Sequence, residues 1–169
     1  MSLYTISQIL IGFAIITDLA SFQFKQKTHI VYCFLISCTL IAIHFMCLGH
    51  WTAAGLALLS LARFTACLYT TSTRVLIFFL VSVALIGLFT YDGYLTLLGC
   101  AATTFGTIAS FCKDDKPLRQ FMAVCAGFWI IHNYLAGSPG AVLLETIFLS
   151  SNLVGYFRYY IRPRRAAVN

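Results

Sequence analysis

The sequence predicts an all-α, polytopic membrane protein: seven transmembrane helices, arranged as two parallel three-helix repeats around a linker helix. Three observations predict it. First, 60% of residues are hydrophobic, only 9% are charged and the mean hydropathy is +0.89, whereas a soluble domain carries about 25% charged residues. Second, the Lys and Arg residues cluster in alternate loops between the apolar runs. Third, one stretch occurs twice. Ala20-Ser21-Phe22 returns as Ala109-Ser110-Phe111, an offset of 89, and Ile43-His44 with Gly49 returns as Ile131-His132 with Gly137, an offset of 88. A one-residue loop insertion or deletion accounts for the difference.

A bilayer core is crossed by about 20 apolar residues, and a helix satisfies its own backbone there. Helix 1 is expected over residues 3–23; its apolar run has no basic segment before it and reads as a retained span, not a cleaved signal. Helix 2 follows Lys25 and Lys27 and covers 29–48, ending at the Gly49-His50-Trp51 turn. Helix 3 covers 52–70. Helix 4 is short, 75–90, with Arg74 placed to snorkel at one end and Tyr91 at the opposite interface. The Tyr91-Asp92-Gly93 turn leads into helix 5, over 94–112. Helix 6 covers 119–136, and helix 7 covers 141–160 after the breaker cluster Gly137-Ser138-Pro139-Gly140. Pro117, Pro139 and Pro163 are all expected in loops or in the tail.

Residues 1–169 thus read as a single transmembrane domain. The first repeat spans 3–70, the linker helix 75–90 and the second repeat 94–160, with a basic tail over 161–169. A three-helix unit ends on the side opposite its start, so the single linking helix restores direction and makes the repeats parallel about an axis along the membrane normal.

Charge gives the orientation. One side carries Lys25, Lys27 and Arg74, then Lys113, Lys116 and Arg119, then Arg158, Arg162, Arg164 and Arg165. The other side, with the loops near residues 50, 92 and 138, carries none, and only Arg63 lies within a span. The positive-inside rule therefore predicts the N-terminus outside and the C-terminus cytoplasmic. The net charge of +6 is explained by lipid headgroups and topology, not by nucleic acid, and the basic tail suits a headgroup anchor.

Small residues mark close helix packing: Gly99, Ala102, Gly106 and Ala109 form a stripe on helix 5, with Ala53, Ala57 and Ser60 a lesser one on helix 3. Ionisable side chains within spans normally face the bundle interior and find partners. Asp18 and Arg63 fall at similar depth, about 10 Å below the inner surface, and an ion pair is expected between them, either a structural bridge or an inner gate. His44 and His132 are repeat mates near the outer ends of helices 2 and 6, and Glu145 enters helix 7 at a similar depth. Glu145 and Asn152 share a helix face, Trp129 lies one turn from His132, and Asn133 adjoins it. Imidazole, carboxylate, amide and indole together suit a polar, partly flat solute, and histidine titrates in the range needed for proton coupling. The bland alternative is a hydrogen bond between His132 and Glu145 across the helix 6–7 hairpin.

Other chemistries find little footing. The seven cysteines show no CxxC pair or metal-like spacing, and no metal or other cofactor is expected. Two His and one Glu make only a weak metal set. No nucleophile elbow, phosphate loop or dinucleotide fingerprint is present, so no enzymatic activity is expected.

The pattern His44-Phe45-x-x-Leu48-Gly49, then Trp129-x-Ile131-His132-Asn133-x-x-x-Gly137-Ser138-x-Gly140 followed by Glu145, resembles the bacterial inner-membrane YgjV family over nearly the whole chain. The three-plus-one-plus-three arrangement is also similar, more distantly, to the superfamily of SWEET, PQ-loop and PnuC transporters. The PQ dipeptide and the helix prolines of SWEET proteins are missing, so the fold carries over and the substrate does not. The resemblance implies a multi-pass protein of the bacterial inner (plasma) membrane. The expected function is a facilitator or proton-coupled carrier of a small polar solute, bound by Trp129, His132, Asn133, Glu145, Asn152 and His44. The alternative is a non-transporting scaffold or receptor of the same fold, as the KDEL receptor is in that superfamily. Partners are the lipid bilayer and the solute; a homo-oligomer is compatible, but the sequence shows no interface signal.

Overall fold

A computed structural model describes residues 2–21 and 27–161. Among these residues the chain is all helical, with no strand. The helices are α1 (Leu3–Ser21), α2 (Lys27–Cys47), α3 (Trp51–Cys67), α4 (Thr73–Phe89), α5 (Tyr94–Phe111), α6 (Asp115–Leu135) and α7 (Pro139–Tyr156), and α7 runs on into a π-helical turn at Phe157–Ile161. Seven helices match the seven expected spans, with shifted ends. Lys25, Phe22 and the basic tail with Arg162, Pro163, Arg164 and Arg165 lie outside the described residues, as do the side chains of Lys27 and Arg158.

Two prolines correct the expected loops. Pro117 sits in the first turn of α6, and Pro139 opens α7. The first backbone N–H groups of a helix have no intrahelical acceptor, so a proline there breaks no hydrogen bond and its fixed φ favours the helix. Ser72 caps α4 by accepting from the Arg74 backbone N–H.

One end of the bundle carries three tight turns, at Gly49, Gly93 and Gly137, each with positive φ (77°, 72° and 67°). We call this the glycine-turn end and the opposite one the basic end. Gly49 and Gly137 build the same hydrogen-bonded cap. Gly49 N–H donates to Met46 O and His50 N–H to Phe45 O; 88 residues on, Gly137 N–H donates to Tyr134 O and Ser138 N–H to Asn133 O. This is the Schellman arrangement, which needs a left-handed residue after the helix and therefore favours glycine. The same residues then start the next helices, where His50 O and Ser138 O accept from Ala54 and Val142.

The helices pack as a ring. α1 packs on α2, α2 on α3, α3 on α5, α5 on α6, α6 on α7, and α7 returns to α1; α4 lies outside, against α3 and α5. The core is rich in small side chains, including Ala14, Ala42, Ala53, Ala102, Ala109 and Ala126, beside a few large ones such as Ile11, Phe45 and Leu56, so the backbones approach closely. The stripe expected on α5 is buried throughout. Gly99 faces Leu56 of α3 together with Trp129 and His132 of α6, and Gly106 faces Cys125 and Arg63.

Large apolar side chains instead point outward: Ile16, Phe78, Leu88, Phe89, Leu97 and Val154 are all exposed. An apolar exterior over a small-residue interior is stable only in lipid. Two helices are long and apolar enough to cross a membrane by length and composition alone, within Leu3–Ala20 and Tyr94–Phe111, and three apolar stretches of 16 or 17 residues accompany them.

Candidate functional site

The ring surrounds a partly open cavity of about 180 Å³. Every ring helix contributes to its wall: Asp18 from α1, Ser37 and Cys38 from α2, Ser60 and Arg63 from α3, Gly106 from α5, Cys125, Trp129 and Asn133 from α6, and Glu145 from α7. Apolar groups such as Phe45, Phe64 and Phe148 line the rest.

Arg63 is buried at 5% exposure. Its Nη1 donates to Thr107 Oγ1 at 2.8 Å and to Thr103 O at 3.4 Å, and its guanidinium carbon lies 4.8 Å from the centre of the Phe64 ring. Asp18 is not among its hydrogen-bond partners. That carboxylate stands beside Ser37 of α2 and against Leu144, Ile147 and Phe148 of α7. The expected Asp18–Arg63 bridge is thus not formed: both side chains line the cavity, but each turns to its own neighbours. The reason is topological: α2 lies between α1 and α3, so Asp18 turns to its neighbours α2 and α7 while Arg63 turns to α5.

The two repeat-mate histidines occupy different sites. His44 is fully buried. Its Nδ1 donates to Ser7 O of α1 at 2.8 Å, and its Nε2 meets Ser138 Oγ, before α7, at 3.0 Å. A carbonyl only accepts, so Nδ1 carries the proton of the neutral ring and Nε2 accepts from the hydroxyl. His44 therefore clips α1, α2 and the α6–α7 turn together and does not line the cavity.

His132 donates through Nδ1 to Asn133 Oδ1 at 3.1 Å and packs edge-on against Trp129, Phe45 and His50. Beyond it, at the glycine-turn end, lies a second, wider pocket of about 430 Å³, lined by His50, Trp51, Thr52, Tyr91, Asp92 and His132 among others. Phe45 stacks on Trp129 with ring centres 6.0 Å apart. Both rings also line the cavity and pack against His132, which lines the outer pocket, so aromatic side chains lie between the two spaces.

Of the expected solute wall, Trp129, Asn133 and Glu145 line the cavity, while His44, His132 and Asn152 do not. Asn152 instead donates to Arg119 O at 2.7 Å and ties α7 to α6 near the basic end. Glu145 is half-buried, lines the cavity in company with Arg63 and Asp18 rather than with His132, and accepts no hydrogen bond from any described residue. Among the described residues no group of His, Cys, Asp or Glu is placed to hold a metal ion.

Sequence reasoning missed Ser37, Phe34, Cys38 and Cys125 as cavity residues, and Ser7, Gln8 and Ser138 as clips. Projection at the 88-residue offset was the signal that would have found several of them, since Ser37 projects onto Cys125 and Phe34 onto Met122.

An all-helical ring with an apolar exterior and a cavity lined in part by ionisable groups defines a multi-pass membrane protein with an internal cavity. The chain belongs to the Imp-YgjV family of bacterial inner membrane proteins, which it matches over residues 5–163. It is 33% identical over 125 residues to the inner membrane protein YgjV of Escherichia coli (strain K12), covering 74% of this chain and 68% of that protein. Its place is accordingly the bacterial inner membrane. No solved structure matches it.

Proposed function

We propose that this protein is a carrier, a facilitator or proton-coupled transporter, for a small polar metabolite, and not an enzyme. In this reading two parallel repeats, residues 3–70 and 94–160, are joined by the linker helix, with the glycine-turn end outside and the basic end cytoplasmic. The observation that carries it is the cavity inside the ring, whose walls take residues from matched positions of the two halves. At the 88-residue offset Ile41 stands for Trp129, Phe45 for Asn133 and Ala57 for Glu145, and all six line the cavity.

The contacts between the halves pair in the same way. Thr52 Oγ1 of α3 meets Thr96 Oγ1 of α5 at 3.3 Å, and at the equivalent positions Gly140 N–H of α7 donates to Gln8 Oε1 of α1 at 3.2 Å. A binding site on such an axis, near mid-membrane, is where transporters built from repeats hold their solute. The aromatic layer of Phe45, Trp129 and His132 then acts as the outer closure of the cavity, and the wider pocket above it as an entry vestibule.

The scaffold reading draws on one observation, the His44 clip, which closes the seam between the halves at the glycine-turn end. Deeper in the ring the seam is open, and a scaffold has no need of an acid there without a hydrogen-bond partner among the described residues.

The test is solute uptake by purified protein in liposomes, over sugars, nucleosides, vitamins, amino acids and organic acids, with thermal shift in detergent alongside. A ligand at a hundred times its Kd stabilises by about 2.7 kcal/mol. Uptake of one class, lost in Glu145→Gln, supports the carrier. No uptake and no shift across the panel, from folded protein, refutes it in favour of the scaffold.

A further inference from the structure

Besides Asp18, Arg63 and Glu145 line this cavity, and neither of the two has an ionic partner among the described residues. The contacts of Arg63 among the described residues are all neutral: a threonine hydroxyl, a backbone carbonyl and an aromatic ring. Its Nε has no hydrogen-bond partner among the described residues. Glu145 lines the same cavity from the other side of the ring, since α3 and α7 are three places apart in a ring of six helices. No described residue hydrogen-bonds it. Cys38 and Cys125 line the same cavity.

A buried charge without a counter-ion is costly, and more so inside a membrane, where ionisable side chains normally pair with one another. Here a guanidinium and the Glu145 carboxyl group face a common space without bonding each other, while the second carboxyl group of the cavity, Asp18, turns to Ser37. A simple anion would pair with Arg63 and leave Glu145; a simple cation would do the reverse; a neutral solute would offer hydrogen bonds but no opposite charge to either. Only a solute with both charges completes the pair. Resting on the carrier reading, we propose that the cavity binds a small zwitterion, with its carboxylate at Arg63, its ammonium at Glu145 and its carbon skeleton against Trp129 and Phe148.

Each element fits the role. An arginine guanidinium matches a carboxylate geometrically and stays charged when buried. The indole of Trp129, which lines the same cavity as Glu145, favours an ammonium through its quadrupole. The volume limits the size, because about 150 Å³ of apolar cavity already holds benzene. A cavity of about 180 Å³ therefore suits a solute of amino-acid size and excludes a disaccharide or nucleoside.

The experiment is binding to the full-length protein in detergent, by thermal shift and calorimetry, with four sets of probes of matched size. The zwitterions are glycine, leucine, 4-aminobutanoate and 5-aminopentanoate. Butanoate and pentanoate are the anions, butylamine and pentylamine the cations, and glycerol and erythritol the neutral solutes. The expected result is binding by zwitterions, weakened about ten- to a hundred-fold by Glu145→Gln or Arg63→Gln singly. Specificity should also split: Glu145→Gln keeps monocarboxylates, and Arg63→Gln keeps monoamines.

Should Arg63→Gln fail to fold, Arg63→Lys keeps the charge while losing the paired donors, and the panel on the parent protein decides without either. Preference of the parent for a neutral or singly charged probe overturns the zwitterion and leaves the carrier standing. Silence of all four sets overturns the zwitterion; the carrier falls only if the wider uptake panel is silent too.

Discussion

The buried clip around His44 gives the most demanding test of the fold, because it joins three segments through one ring. Removing it with His44→Ala breaks two hydrogen bonds, to Ser7 O at 2.8 Å and to Ser138 Oγ at 3.0 Å, at a site with 0% exposure. Two neutral hydrogen bonds contribute about 1 kcal/mol each. The vacated imidazole volume adds a cavity term of similar size, so the variant should lose about 3 kcal/mol. For a chain of this length that is a Tm lower by about 6–12 °C. Ser138→Ala removes one bond and should cost about 1 kcal/mol.

The decisive quantity is the double variant. If the ring and the hydroxyl bond each other, the two effects are not additive, and the coupling should lie near the 0.6–1.7 kcal/mol range of hydrogen bonds between membrane helices. Thermal melts of the four proteins in one detergent, checked by denaturant titration, measure it. Additivity within about 0.3 kcal/mol would refute the clip, and with it the account of how α1 is held to the α6–α7 turn.

Three further outcomes are expected. Gly106→Ala places a Cβ 3.0 Å from Cys125 Sγ and 3.4 Å from Arg63 Nη1, whereas Gly127→Ala meets nothing within 4 Å; melting should show the first lowering stability by about 1–3 kcal/mol and the second raising it by about 0.5–1 kcal/mol, and equal signs would contradict the packing. Asn152→Ala should cost about 1 kcal/mol through the bond to Arg119 O yet leave solute affinity unchanged; a loss of affinity without a loss of stability would return Asn152 to the binding wall. In a cysteine-free variant, Asp92→Cys should react with a membrane-impermeant maleimide in intact cells with the outer membrane permeabilised, and Thr71→Cys only after lysis; the opposite pattern would invert the topology.

The sequence by itself determined the class of this protein. Uninterrupted apolar runs leave no alternative to helices in lipid, because only a helix satisfies its own backbone there. The glycine turns were legible for a similar reason, since a left-handed residue after a helix is a local demand met by Gly49 and Gly137 themselves. Pro117 misled because proline ends a helix in general yet is at home in its first turn, and local composition does not fix which side of that boundary it takes.

What only the tertiary structure decided was which buried polar groups meet. Depth along the spans put Asp18 level with Arg63, but depth says nothing of neighbourhood around a ring. α2 stands between their helices, so Arg63 turned to Thr107 and Asp18 to Ser37. His44 and His132 are matched in sequence, yet one is held by Ser7 and Ser138 while the other faces an outer pocket beside His50. Asn152 shares a helix face with Glu145, and only the position of α6 shows that it is taken up by Arg119 O. Hydrophobic period and charge fix how a chain crosses the membrane, because those forces act between chain and solvent. The order of helices around the cavity depends on contacts between helices distant in sequence, and those contacts select the wall that Arg63 and Glu145 face.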